Sequence, residues 1–179
     1  MRLLRTISLD PSDTFVFEPA AEPGEWAVSG AFRFWDRDPS QLEGKMRSAF
    51  RSGFLGLQSW GWSTLVQIVD VEDAERVVVV EMLAQQLIDK LGAPDMDAAR
   101  GAAEDEIKFV QSLCGHPRDT LIAVHRTFED GEVREAFRTL RPRNILKPAS
   151  VISFLEVEDE ESVEEHVNIF ELTAGRRSE

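Results

Sequence analysis

Four tryptophans and a group of arginines are the side chains in this sequence whose types and spacing best suit ligand binding. All four tryptophans lie within the first 62 residues, and Trp60-Gly61-Trp62 places two indoles on either side of a glycine. Large aromatic side chains are enriched in ligand pockets and as interface anchors. We therefore expect a turn that presents Trp60 and Trp62 at the surface. The alternative is that both indoles fill a core.

The second binding feature is a set of basic residues in the C-terminal half. Arg134 and Arg138 lie on a predicted hairpin, and a basic stretch without acids continues from Arg138 to Lys147. Guanidinium groups match carboxylates and phosphates in geometry. We expect Arg134 and Arg138, with His125, to bind an anionic small molecule or a protein partner near the two indoles. Alternatively, the basic stretch neutralises the chain's own acidic stretch at 156–165.

Nucleophilic catalysis finds little support in the sequence. The segment Gly56-Leu57-Gln58-Ser59-Trp60-Gly61 differs from a nucleophile elbow, because its first glycine stands three residues before Ser59 where two are needed. Cys114 lies on the predicted inner face of a helix, whereas a reactive thiolate needs a cationic, partly exposed site. A buried, inert thiol is therefore preferred, with activation by His116 as the alternative. We predict no catalytic residue set.

Metal and cofactor sites are not expected either. His116, His125 and His166 are far apart in sequence and match no zinc or di-iron spacing. The glycines form neither a P-loop nor a dinucleotide fingerprint, so we predict no cofactor. The acidic run Glu104-Asp105-Glu106 is expected to form the solvated side of a helix.

A small enzyme is the competing interpretation. Histidine titrates near neutral pH and is the commonest general acid or base. His125 with a nearby carboxylate, either Glu135 or Asp119, would form the acid–base pair.

The net charge and the cysteine content limit which classes of binding partner and which cellular compartment are expected. The chain has 179 residues, with 20 Lys and Arg against 33 Asp and Glu, for a net charge of −13. Binding to nucleic acid or to an anionic membrane is not expected, because phosphate groups need cations. The one cysteine excludes an internal disulfide, and Arg5 and Asp10 interrupt the apolar residues at the N-terminus. We expect a cytoplasmic protein, and we also consider a homodimer through the first sheet.

The first third of the chain is predicted to form mainly strands. Period-two alternation of apolar residues is the signal for most of them. Pro23 and Gly24 are typical of a type II turn between two strands. The predicted strands cover residues 2–9, 14–17, 26–34 and 62–71. The last has apolar residues on both faces and should be central in its sheet.

Helix caps predict where three helices begin. Asp38, Pro39 and Gln41 form a capping pattern for a helix that ends near Gly53. Asp70 or Glu72 opens the second helix. The expected apolar stripe of this second helix is Val77, Val80, Ala84, Leu87 and Leu91.

The second and third helices are predicted to form an antiparallel pair. Gly92 ends the second helix, Asp95 caps the third, and Gly115 stops the third. The link at 92–94 is short, which favours antiparallel neighbours.

A β-hairpin is the strongest structural signal. Residues 120–128 and 133–140 flank Asp130-Gly131, the preferred pair for a type I′ turn. This register pairs Arg126 with Glu135 on the more apolar face, which should point to the core. Arg126 and Glu135 are then structural, since half of a buried ion pair is costly.

The order of elements predicts an α+β fold. We expect a mainly antiparallel sheet with a helical hairpin and one shorter helix packed on it, in a single domain over 1–172. A further strand is predicted over 151–157, and 162–172 fits either a helix or an edge strand. Residues 173–179 should form a frayed tail.

Two segments resemble an uncharacterised bacterial family of unknown function. They are Phe50-Arg51-Ser52-Gly53-Phe54-Leu55-Gly56-Leu57 with Gly61-Trp62-Ser63-Thr64-Leu65-Val66, and Thr120-Leu121-Ile122-Ala123-Val124-His125-Arg126 with Phe128-Glu129-Asp130-Gly131. The resemblance implies no activity and no site residues. It favours a stand-alone cytoplasmic protein. The lack of a complete catalytic set, with the indole pair and the arginine stretch present, favours a non-catalytic accessory or binding protein.

Overall fold

Alternating apolar residues near the N-terminus form a strand at the middle of the sheet. In the computed structural model, which describes residues 1–142 and 155–159, strand β1 spans Arg2–Ile7. Leu3 and Leu4 point to opposite faces of the pleat and both are buried. The predicted strand over 2–9 is confirmed except for its last two residues.

The described residues form one antiparallel sheet of eight strands. Besides β1, they are β2 (Trp26–Val28), β3 (Phe54–Gly56), β4 (Trp62–Ser63), β5 (Leu65–Asp70), β6 (Leu121–Glu129), β7 (Glu132–Pro142) and β8 (Leu155–Asp159). Their order across the sheet is β4-β3-β2-β1-β5-β6-β7-β8. The predicted strand over 62–71 is therefore central through β5, although it breaks at Thr64. The sheet curls, which brings the rings of Phe54 and Phe137 to 6.2 Å between centroids.

Helices complete an α+β fold, as predicted. They are α1 (Asp13–Val16), α2 (Gly44–Ser52), α3 (Asp73–Leu91) and α4 (Met96–Leu113), with 3-10 helices at Ala31–Phe34 and Pro39–Gln41. Ion pairs join Arg76 to Glu104 and Arg100 to Glu81, so α3 and α4 run antiparallel as expected. Helix α4 contacts β1 and β2, which places the helical pair on the sheet.

The caps of the helical pair are where the sequence predicts them. Glu72 and Glu75 form a reciprocal capping box at the start of α3, and Gly92 ends that helix with a φ of 69°. Asp95 caps α4 by accepting the N–H of Ala98 at 2.8 Å. The carboxylates accept N–H groups at the helix starts, and the backbone N–H of Gly92 donates to carbonyls at the end of α3, so groups that helix ends leave unpaired are satisfied.

The inner face of α3 differs from the predicted stripe. Val77 is 57% exposed, and the buried residues are Val79, Val80, Leu83, Ala84 and Leu87. The four consecutive valines at 77–80 place an apolar side chain on every face of the helix. Their pattern therefore cannot decide which of them faces the sheet, and the packing of α4 decides it instead.

The hairpin of β6 and β7 is confirmed residue by residue. Arg126 pairs with Glu135, and Val124 with Phe137, as the Asp-Gly turn requires. Asp130 and Gly131 have φ angles of 55° and 81°, the left-handed values of a type I′ turn.

Two predictions in the first third of the chain are wrong. In the expected strand over 14–17, the first three residues belong to helix α1 and Phe17 is its extended C-cap. The expected strand over 26–34 ends at Val28, and Gly30 takes a φ of 78° before the 3-10 helix begins. A Cβ at Gly30 would lie 2.6 Å from the Cβ of Leu55, so the chain turns where only glycine fits.

The helix expected from Asp38 begins later. Asp38 does act as a cap, accepting the N–H of Ser40 at 3.0 Å, but it caps only the short 3-10 helix at Pro39–Gln41. Leu42 is extended, and α2 starts at Gly44. The predicted end near Gly53 is confirmed, as is the positive φ of Gly24 in the Pro23-Gly24 turn.

Several predictions fall outside the described residues. They are the beginning of the strand over 151–157, the segment 162–172, the tail over 173–179 and the domain limit at 172. Within the described part of the chain, β8 covers Leu155–Asp159, and no helix has the length and apolar character needed to cross a membrane.

Substituting Gly30 should cost more stability than substituting Gly24. Both have a positive φ, which costs an L-residue about 1 kcal/mol. A methyl at Gly24 meets nothing within 4 Å, whereas one at Gly30 collides with Leu55 and Trp62. We expect Gly24→Ala to lower the free energy of unfolding by about 1 kcal/mol and Gly30→Ala by about 3 kcal/mol, measured by urea denaturation. Equal losses would contradict the close approach at Gly30.

Candidate functional site

The two indoles expected at the surface lie in the core. Trp60 is 7% exposed and Trp62 is 2% exposed. Trp62 stacks on Phe34 with 5.3 Å between ring centroids, and its indole fills the space that side chains at Gly30 and Gly53 would need. The prediction of an exposed aromatic turn is therefore wrong, because the glycines let neighbouring backbone close over the rings.

The glycine between the tryptophans serves a close backbone approach. A Cβ at Gly61 would lie 2.5 Å from the carbonyl oxygen of Ala20. The segments around Ala20 and Gly61 are joined by backbone hydrogen bonds from Ala21 N to Trp62 O and from Trp62 N to Pro19 O. Gly61 is thus required by packing and not by loop flexibility.

A buried carboxylate ties down the turn before Trp60. Oε2 of Glu25 accepts the N–H groups of Gln58 and Ser59, each at 2.9 Å, and Oε1 accepts that of Glu22 at 2.8 Å. Every one of these donors is backbone, so the turn is anchored to β2 and is part of the scaffold.

Arg33 lies over both indole rings, although no pattern in the sequence predicts it there. Its guanidinium carbon lies 5.4 Å from the ring centroid of Trp60 and 5.5 Å from that of Trp62. It also donates to the carbonyl of Trp60 at 3.3 Å. Burial, reinforced by Arg37, lowers the pKa of Arg33.

Arg134 and Arg138 alternate with Glu135 along β7, so they point to the opposite face of the hairpin from Arg126 and Glu135. Arg134 pairs with Glu129 at 3.5 Å near the turn. Arg138 and Arg51 lie near His125. Binding of an anion by Arg134, Arg138 and His125 stays a prediction, but the structure gives them a different neighbourhood from Trp60 and Trp62.

Both carboxylates considered for His125 have other partners in the structure. Glu135 lies on the opposite face and is held by Arg126, while Asp119 accepts from Gln67 at 3.0 Å and lies 3.6 Å from Arg118. Desolvation lowers the pKa of His125, and the charges of Arg51 and Arg138 lower it further. Its surroundings are cationic, which is the reverse of a histidine–carboxylate pair.

Arg126 is the most heavily bonded side chain of the described structure, and it is almost fully buried. Its Nε donates to Glu135 at 2.6 Å, and its Nη1 donates to the carbonyls of Phe50 and Gly53 at 3.1 and 2.7 Å. Its Nη2 donates to both the carbonyl and the hydroxyl of Ser29. All five N–H donors of the guanidinium are therefore used. The predicted Arg126–Glu135 pair is confirmed.

Glu106 is the residue of interest that sequence reasoning missed. It was expected on a solvated face, yet it is only partly exposed, and its Oε1 is buried without a hydrogen-bond partner. Burial, the first cause, and the charge of Glu135 raise the pKa of Glu106 to about 7. The N–H groups of Gly30 and Ser29 and the charge of Arg126 oppose this rise. The sequence signal for this burial is the position of Glu106 seven residues after Ala99 and three after Ala103, which puts it on the buried face of α4.

A cleft opens beside Glu106 between α3, α4 and the 3-10 helix at Ala31–Phe34. We call it the Glu106 cleft, and its volume is about 490 Å³. Leu83 and Leu87 are buried in its floor, while Trp35 at its edge is 75% exposed. Its lining residues are Phe32, Trp35, Leu83, Leu87, Leu91, Ala102, Asp105 and Glu106.

Cys114 has the inert character that the sequence predicts. It is buried, its Sγ donates to the carbonyl of Val110 at 3.3 Å, and burial raises the pKa of the thiol to about 12. Among residues 1–142 and 155–159, no three His, Cys, Asp or Glu side chains are grouped as metal ligands would be.

Comparison with known proteins places the chain in a family. A family of unknown function (DUF6505) matches residues 1–154, so the chain belongs to that family. This confirms the resemblance to an uncharacterised family. No curated protein and no solved structure matches the chain.

Removing Arg126 should be far more damaging than removing a surface arginine of the same hairpin. Arg126→Met leaves Glu135 without its cation and three carbonyl oxygens without this donor, so we expect a loss of roughly 3–5 kcal/mol in the free energy of unfolding. Arg134→Met, the matched control at an exposed position, should change it by less than about 0.5 kcal/mol. Urea denaturation measures both, and similar losses for the two variants would rule out the structural role of Arg126.

Glu106 should make the protein less stable as the pH rises. Its pKa is about 7 in the folded chain against 4.5 as the ordinary value. The folded chain therefore keeps a proton that the unfolded chain releases. This contribution is full below the unfolded pKa and is lost as the pH rises through the folded pKa. Glu106→Gln removes the loss, and we expect the variant to gain roughly 2 kcal/mol over the wild type at alkaline pH.

Urea denaturation at about pH 5 and about pH 8.5 checks this sign. Asp105→Asn, which changes the adjacent exposed carboxylate, is the control and should show no such gain. A difference between Glu106→Gln and the wild type that is the same at both pH values would contradict the assignment.

Proposed function

We propose that this protein is a non-catalytic binding protein and that the Glu106 cleft is its site for a small molecule. Ligand sites in proteins are apolar cavities of roughly 300–1,000 Å³ with a few placed polar groups. The Glu106 cleft, at about 490 Å³, has this size and this composition.

The apolar lining of the Glu106 cleft is the observation that carries the proposal. Glu106 lines the cleft, but its unpartnered Oε1 is itself buried and out of reach of a ligand there. We therefore expect a ligand held mainly by apolar contact.

The walls of the cleft support an apolar ligand body. Leu83, Leu87 and Leu91 follow at i, i+4 and i+8 on α3 and form one continuous stripe. Trp35 extends this surface from the 3-10 helix, with most of its indole exposed to solvent. A large exposed aromatic beside an apolar groove is typical of a binding surface.

The neighbours of Glu106 favour binding over catalysis. Arg126 and Glu135 bond each other and the surrounding backbone, so neither is free to move a proton or contact a substrate. Asp105, the other acid of the cleft, is exposed and lies 3.4 Å from Lys108. Both charged groups of the lining are carboxylates, so the cleft disfavours an anion.

Fluorescence of an apolar probe tests the proposal. We expect N-phenyl-1-naphthylamine, which is uncharged at neutral pH, to gain fluorescence on binding to the wild type. Ala102→Phe, which fills the cleft from α4, should weaken that binding at least about tenfold. Ala74→Phe adds the same ring to an exposed position of α3 outside the cleft and is the matched control.

Two results would overturn the proposal. One is a wild type that does not bind the probe. The other is equal binding by Ala102→Phe and Ala74→Phe, with thermal denaturation showing that both variants are folded.

A further inference from the structure

Resting on the proposed function, we infer that the ligand of the Glu106 cleft is an uncharged, planar aromatic compound that lies against the rings of Phe32 and Trp35. The cleft has one aromatic wall and one aliphatic wall. Trp35 determines the class of ligand, because it forms the exposed half of the aromatic wall.

A short 3-10 helix builds the aromatic wall. Side chains three residues apart in a 3-10 helix stand one above the other, because this helix has three residues per turn. Phe32 and Trp35 have this spacing, and the N–H of Trp35 donates to the carbonyl of Phe32 at 3.3 Å, which continues the turn. Both residues line the cleft, so their rings form adjoining parts of one surface.

The inner half of this wall is fixed and the outer half is open. Phe32 packs against the buried ring of Trp60, with 6.2 Å between ring centroids. Trp35 is 75% exposed, and its indole makes no hydrogen bond and no ring contact with the residues that the structure describes. The other three tryptophans, Trp26, Trp60 and Trp62, are buried. Trp35 is therefore the indole that a ligand can cover.

The second wall is aliphatic and leaves room for a ring. It consists of Leu83, Leu87 and Leu91 on α3, and Ala102 on α4 adds only a methyl group to the lining. A saturated ligand would gain the burial of apolar area on both walls. A planar aromatic ligand would gain the same burial and, in addition, the attraction between stacked or edge-on rings at the aromatic wall. The two walls together therefore favour an aromatic ligand.

The charged groups of the lining favour a ligand without charge. Oε1 of Glu106 is buried, and the N–H groups of Ser29 and Gly30 face that carboxyl group. Asp105 is exposed at the rim, where it lies 3.4 Å from Lys108. Asp105 would repel an anion, and a cation would meet an acid that already has a partner. Neither kind of charge gains enough there to offset the loss of its hydration.

Two probes with the same carbon skeleton separate ring stacking from apolar burial. They are 2-naphthalenemethanol, which is planar and aromatic, and decahydro-2-naphthalenemethanol, which is saturated and more apolar. Isothermal titration calorimetry near neutral pH gives the affinity of each. We expect the wild type to bind the aromatic alcohol at least about threefold more tightly. Burial of apolar area alone would give the opposite order.

Two charged relatives of the aromatic alcohol test the second part of the inference. They are 2-naphthylmethylamine, a cation near neutral pH, and 2-naphthoate, an anion. We expect both to bind more weakly than 2-naphthalenemethanol and 2-naphthoate to bind most weakly. Tighter binding of either charged compound would show that the ligand class is not uncharged.

Substitution of Trp35 shows which residue makes the distinction. Trp35→Leu keeps an apolar side chain but removes the ring, so it should lose the preference for the aromatic alcohol and still bind the saturated one. Trp35→Phe should keep the preference. Phe15→Leu is the control, because it removes a ring that is 77% exposed on α1, outside the cleft, and should also keep the preference. Thermal denaturation checks that all three variants are folded.

A second copy of the chain is the other occupant that the experiments distinguish. If two copies met at the aromatic wall, light scattering would show a dimer for the wild type and a monomer for Trp35→Leu. That result would overturn the inference. We expect the same mass for both proteins.

The outcomes separate this inference from the proposed function. If the saturated alcohol binds the wild type as tightly as the aromatic one, the cleft binds ligands but does not select rings. A preference that persists in Trp35→Leu and disappears in Phe15→Leu overturns the role of Trp35. If none of the probes binds and N-phenyl-1-naphthylamine also fails, the proposed function itself is wrong.

Discussion

The structure depends on burying one guanidinium with all of its donors satisfied. Arg126 joins the β6–β7 hairpin to the end of β2, to the end of α2 and to the start of β3 through Ser29, Phe50 and Gly53. These segments are distant in sequence, since Ser29 and Arg126 are 97 positions apart. A buried charge is tolerated only with excellent geometry and complete hydrogen bonding. The curl of the sheet is what brings the carbonyl groups to it.

The same arrangement explains the raised pKa of Glu106. Helix α4 lies over the end of β2, which places Glu106 beside Ser29 and Gly30 and near a cation whose donors are already used. The cost of burial and the repulsion of Glu135 raise its pKa, and they outweigh the N–H groups and the charge of Arg126 that oppose them. The environment of this acid is thus a consequence of how α4 packs over the end of β2.

Local sequence patterns were sufficient to predict the turns and helix ends, because their conformation depends on neighbouring residues. The Asp130-Gly131 turn sets the register of the hairpin, and Glu72, Gly92 and Asp95 set the ends of α3 and α4. The segment from Trp26 to Phe34 shows where such patterns fail. Its alternation is that of a strand, but the close approach of Leu55 and Trp62 at Gly30 turns the chain into a 3-10 helix.

The sequence by itself determined the α+β class, the antiparallel helical pair, the hairpin with its Arg126–Glu135 pair, and the inert Cys114. These features follow from turn residues, helix caps and apolar periodicity, which act over a few neighbouring residues. Only the tertiary structure decided that Trp60 and Trp62 are enclosed and that Glu106 lies at a cleft. An indole or a carboxylate has the same local pattern whether it faces solvent or protein. Its burial is set by segments that arrive from elsewhere in the chain, such as Pro19 to Ala21 over Gly61 and Ser29 beside α4.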